Sequence, residues 1–142
     1  MEVVVRLLEV SELDCILPLI RQLNPTLDEV KLRSRLDTIS ASQNYRCAGA
    51  FEGDKLVGVT GIWTGTKLWC GKFIEADNVV VDAQHRGQGI GEKMMTFVHE
   101  LGQREGCEVA VLDTYVTYAR AQKFYFEQGY DIRGFHFVRE LK

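Results

Sequence analysis

The chain has 142 residues, 46% hydrophobic and 26% charged, the composition of a single globular domain spanning 1–142 and able to bury its own core. A formal net charge of −3 excludes a general binder of nucleic acid or anionic membranes, and no apolar run approaches the roughly 20 residues that cross a bilayer. The opening Met-Glu-Val-Val-Val lacks the basic region of a secretory signal. Cys15, Cys47, Cys70 and Cys107 form no C-x-x-C pair, so reduced thiols, a cytoplasmic setting and no metal site are expected.

Val3 to Leu8 is predicted as a first strand. Ser11 with Asp14 suggests an N-cap box for a helix whose apolar stripe is Leu13, Ile16, Leu17 and Ile20, with a kink at Pro18. Thr26 with Glu29 suggests a second box, followed by Leu32, Leu36 and Ile39. Residues 45–51 and 56–63 read as strands joined at Gly53-Asp54, and 73–82 as a longer strand. Ile90, Met94, Phe97, Val98 and Leu101 mark an amphipathic helix stopped near Gly106. The continuous apolar run Val109 to Leu112 predicts a central strand buried on both faces. Ala121, Phe124 and Tyr125 sit on a last helix stopped at Gly129, and Ile132 to Val138 closes the chain as a strand. The order predicts an α/β (α+β) domain, a mixed central sheet of about six to seven strands flanked by helices on both faces.

The most informative segment is V-V-V-D-A-Q-H-R-G-Q-G-I-G, residues 79–91. A β-branched run leads into glycines at alternate positions, Gly87, Gly89 and Gly91, and then into a helix N-terminus. Such a turn offers unpaired N–H groups and the positive end of a helix dipole to an anion. A Walker loop is excluded because no Gly-Lys-Ser/Thr occurs. A dinucleotide G-x-G-x-x-G is excluded because Gly91 comes one residue too early. A loop of pattern Gln/Arg-x-x-Gly-x-Gly/Ala fits twice, from Gln84 through Gly89 and from Arg86 through Gly91. Residues 119–130, A-R-A-Q-K-F-Y-F-E-Q-G-Y, add an Ala-x-x-Phe-Tyr-x-x-x-Gly-Tyr helix in which Ala121, Phe124, Tyr125, Gly129 and Tyr130 hold the pattern.

Together these motifs resemble the GNAT acyltransferases, over about residues 55–142. The pieces I-E-A-D-N-V-V-V-D, L-D-T-Y-V and F-Y-F-E-Q-G-Y are similar to small bacterial single-domain members. One departure is that Tyr118 stands where many members carry a cofactor-holding Asn. The resemblance implies an N-acetyltransferase that moves acetyl from acetyl-CoA (coenzyme A) to a primary amine by direct attack in a ternary complex. It implies that Arg86, Gly87, Gln88, Gly89, Ile90 and Gly91 hold the pyrophosphate through backbone N–H groups. It further implies that Val79, Val80 and Val81 pair with the pantetheine through main chain, and that Tyr125 is the general acid.

The base is expected from the residues themselves. Glu75 and Asp77 share one face of a strand by period two, with Val79 and Val81 further along it, and carboxylates on a buried strand are costly unless used or paired. Either suits an ammonium substrate as base or as anchor. Asp113, at the end of its strand, either binds the amine or caps the following loop. His136 reads as structural, His85 and His99 as surface residues, and Trp63 and Trp69 as core or hairpin packing in preference to the lining of an acceptor pocket. The expected acceptor is a small molecule or peptide bearing an amine. Nucleic acid and membrane are not expected partners, and an exposed C-terminal strand would permit a homodimer. The rival readings are a non-catalytic acyl-CoA-binding regulatory domain and an α/β module without a CoA site.

Overall fold

Strand β1 (Val3–Leu7) opens the fold, and the computed structural model describes residues 2–142. A 3-10 segment, Val10–Ile16, follows. Its capping box is Glu9 with Glu12 rather than Ser11 with Asp14, because Glu12 is drawn back to the Glu9 N–H and to Arg6. Pro18 lies in the first turn of α1 (Leu17–Leu23). There its missing N–H has no helical partner to lose, so it starts a helix instead of kinking one. Helix α2 (Glu29–Ser40) is entered from Asp28, not Thr26.

Strands β2 (Tyr45–Glu52), β3 (Lys55–Lys67) and β4 (Gly71–Val81) form an antiparallel meander. Helix α3 (Ile90–Arg104) then crosses back to β5 (Val109–Val111), which pairs parallel to β4. Helix α4 (Ala119–Glu127) is the last regular element among the described residues. The sheet order is β1-β2-β3-β4-β5.

Helices cover both faces, as predicted. On one face the 3-10 segment, α1 and α2 pack Ile16, Leu17, Leu32 and Leu36 against Tyr45, Cys47, Val59 and Val80. On the other, α3 sets Ile90, Met94, Val98 and Leu101 against Ala48, Val57, Ile62 and Ile74. Met94 and Val98 lose all exposure, and burial of each such side chain contributes about 1.5–3 kcal/mol. No described helix is long and apolar enough to cross a membrane.

Among the described residues the sheet has five strands, not six to seven. Strand β5 is a half-buried edge strand rather than a central one, and residues 132–138 form no strand. In that segment apolar side chains fall on both parities, Ile132 and Val138 against Phe135 and Phe137, so no single face can be buried. Phe135 is 85% and Phe137 92% exposed. The C-terminal strand on which the homodimer expectation rested is therefore an extended, exposed tail.

Candidate active site

Strand β4 carries the site, and its two halves differ. Val59 pairs with Val80 and Gly61 with Asp77, so Thr60 faces both Asn78 and Val79. This is a β-bulge, and Asn78 adopts φ 52°, a left-handed conformation that Asn tolerates better than most residues. The extra residue resets the alternation. Before it, Ile74 packs under α3 with Val98 and Leu101. After it, Val79 and Val81 turn to the α3 face while Val80 joins the opposite core. Glu75 and Asp77 thus share a face with each other but not with Val79 and Val81, contrary to the period-two expectation.

That shared face floors a cavity of about 370 Å³ lined by Asn44, Trp63, Thr64, Phe73, Glu75, Asp77 and Asp113. Three carboxylates meet there. Burial, then the negative charges of Asp113 and Asp77, push the Glu75 carboxyl above its ordinary range. Asp77 is held differently: Trp63 Nε1–H donates to its Oδ2 at 3.0 Å. Tyr45 braces that indole with ring centroids 4.8 Å apart, and its hydroxyl lies 3.1 Å from Cys47 Sγ. Asp113 is exposed, with His136 Nδ1 3.5 Å from its Oδ2. His136 is therefore an exposed partner of a cavity carboxylate.

Trp63 is the residue sequence reasoning undervalued. Its position was recoverable: Lys67 pairs with Gly71 across the β3–β4 turn, and counting back equally sets Trp63 opposite Glu75. Trp69, by contrast, is exposed at that turn.

The second half of β4 has a free edge. Strand β5 pairs only with Phe73, Ile74 and Glu75, leaving the main chain of Val79, Val80 and Val81 unpaired on that side. The loop follows directly. Gly87 and Gly89 take φ 79° and 76°, and a Cβ at either would meet nothing within 4 Å. The first α3 backbone bond runs from Lys93 N–H to Gly89 C=O, so Ile90, Gly91 and Glu92 keep free N–H donors. Arg86 and Gln88 are exposed, while the Ile90 side chain is core. An open strand edge running into an open donor cradle fits the pantetheine and pyrophosphate of a CoA thioester.

Helix α4 closes against this cradle. A Cβ on Gly91 would lie 3.2 Å from the Phe124 ring, close enough that the ring would have to shift by a few tenths of an ångström. Tyr125 is half-buried, 5.2 Å from Phe124 and 6.0 Å from Tyr130 between ring centroids. Burial raises its phenol above the usual value and pushes Tyr130 up to about 12. Tyr118 caps no N–H with its side chain and stacks edge-on with Tyr115 at 5.2 Å.

Neither His85 nor His99 is a surface residue. His85 is 9% exposed beside Asp82, and His99 Nε2 lies 2.8 Å from Tyr130 Oη, its pKa lowered by burial.

Comparison with known proteins converges on one family. Residues 16–130 match the acetyltransferase (GNAT) family. The chain is 32% identical over 124 residues to thialysine N-epsilon-acetyltransferase from Bos taurus, covering 74% of this chain and 73% of that protein. Glucosamine-6-phosphate N-acetyltransferase from Arabidopsis thaliana superposes with TM-score 0.77 at 22% identity, covering both chains completely. AAC(6')-Iy, solved with the bisubstrate analog CoA-S-monomethyl-acetylneamine, gives TM-score 0.85 at 16% identity over 99% of each chain.

Proposed function

The chain belongs to the acetyltransferase (GNAT) family, and on that premise we propose that it acetylates a small cationic amine from acetyl-CoA within a ternary complex. Members of this family use acetyl-CoA, whose thioester supplies an activated acetyl group and a sulfur leaving group. The observation that carries the acceptor assignment is the cavity in which Glu75, Asp77 and Asp113 converge beside the Trp63 and Phe73 rings. Carboxylates and aromatic faces both attract an ammonium group.

We assign different roles to the neighbouring carboxylates. Glu75, raised by burial and by like charge, is the general base that takes the ammonium proton. Asp77, fixed by the Trp63 N–H, anchors the cationic acceptor, and Asp113 contributes charge at the rim. Tyr125, with its phenol kept protonated by burial, hands its Oη proton to the departing sulfur. The loop from Arg86 to Gly91 holds the pyrophosphate, and the free edge at Val79, Val80 and Val81 holds the pantetheine amides.

The relative named for thialysine favours an amino-acid-like acceptor over a polyamine, an aminoglycoside or a peptide lysine. The test is release of free thiol from acetyl-CoA across those four classes. Release that depends on a lysine-like amine supports the assignment. Release only with peptides, or none with any amine despite CoA binding, contradicts it. A homodimer built through the exposed tail at 131–142 belongs to the same proposal. Sedimentation of wild type against a chain ending at residue 130 tests it, a monomer in both cases refuting it.

A further inference from the structure

The turn between β4 and the glycine loop is tied down step by step. Asp82 N–H donates to Val57 C=O and His85 N–H to Asp82 C=O, both at 2.8 Å. Gln22, arriving from α1, engages this turn with both ends of its amide. Its Nε2–H donates to Asp82 Oδ1 at 3.0 Å, and its Oε1 accepts from Ala83 N–H at 3.0 Å. The second Asp82 oxygen lies 2.9 Å from His85 Nδ1, and His85 Nε2 lies 3.8 Å from Glu52 Oε1 at the end of β2. Gln22 and His85, in that order, hold the Asp82 carboxyl below its usual range.

Beyond His85 these attachments stop. Arg86 through Gly89 are exposed, and Gly87 and Gly89 face open space. The cradle is thus suspended between α3 on one side and the Asp82–His85 turn on the other. An amide with one donor end and one acceptor end matches a turn that offers one carboxylate oxygen and one N–H. Gln22 is exposed, so shortening it leaves no hole in the core.

We infer that Gln22 is a positioning residue for cofactor binding: it fixes the Asp82–His85 turn, and thereby aims the N–H groups of the following loop at the pyrophosphate. Donors directed in advance lose little freedom when the anion arrives, which is where the affinity originates. This inference rests on the reading of Arg86 to Gly91 as the pyrophosphate cradle.

The test is calorimetric affinity for CoA, with the melting temperature of the ligand-free protein measured alongside. Gln22→Ala removes both exposed bonds of the amide and is expected to weaken CoA about fivefold, with the melting temperature lowered by at most about a few degrees. Gln22→Glu alone sets two carboxylates together and should weaken it further. Combining Gln22→Glu with Asp82→Asn restores a donor facing an acceptor and is expected to return affinity to within about twofold of wild type. Wild-type affinity in Gln22→Ala, or no recovery in the double variant, overturns the inference. If Gly89→Glu has meanwhile lost CoA, the cradle reading survives that failure. Full CoA affinity in Gly89→Glu overturns both.

Discussion

The two halves of β4 are one strand doing two kinds of work. From Gly71 to Asp77 it is paired on both sides at its start, and it acts through side chains: Glu75 and Asp77 face the cavity. From Asn78 to Val81 it has lost β5 as a neighbour, its side chains are core, and what it offers is main chain. A single extra residue, Asn78, divides them. An uninterrupted strand would keep its period. In our proposal the bulge places acceptor chemistry and cofactor docking end to end along the strand.

Breaking the first half has the largest expected effect. Glu75→Gln should lower kcat by about 1,000-fold while CoA affinity holds, as loss of a general base does. The same substitution has a stability consequence of opposite sign. A glutamate whose folded pKa is raised destabilises the fold as pH rises from its unfolded value through the folded one, so the Gln variant should melt no lower than wild type at neutral pH. A lower melting temperature would return Glu75 to a structural role.

Breaking the loop into which the second half runs should remove the cofactor. Gly89→Glu puts a Cβ on a backbone at φ 76° and a negative charge in the cradle, and CoA affinity should fall by roughly 100-fold or more. Tyr125→Phe tests the leaving-group side: kcat should fall about 30-fold, toward the lower range of general acid catalysis, with CoA affinity unchanged in calorimetry. Unchanged turnover would make Tyr125 an aromatic packing residue beside Phe124. Trp63→Phe keeps the ring but removes the N–H to Asp77, so the acceptor KM should rise about tenfold with kcat little altered. The smallest effect is expected at the divide. Asn78→Val should cost about 1–2 kcal/mol in chemical denaturation because a β-branched residue resists positive φ, whereas Asn78→Gly should cost little.

The same division marks what could be read from the sequence. The loop and α3 are local: glycines at 87, 89 and 91 and a helical stripe from Ile90 are contiguous, and they stand where expected. The bulge is not local. Whether Asn78 is the extra residue depends on which residue of β3 it faces, and no pattern within 73–82 reveals that. Hence the shared face of Glu75 and Asp77 was legible within the strand, while the faces of Val79 and Val81 were not. Trp63 required register across a turn. His85 required Glu52, brought beside it from the end of β2. The tail at 132–138 has the β-branched and aromatic composition of a strand but lacks a consistent face, and composition alone misled.

The most direct test of the whole account is amine-dependent release of the CoA thiol, followed across pH for wild type and Glu75→Gln. The account predicts release by wild type with an acid limb in kcat/KM lying above the range of an exposed glutamate, and a Gln variant that is slower and has lost that limb. The same limb in both proteins would contradict it: the base would not be Glu75, and the cavity's carboxylates would only bind.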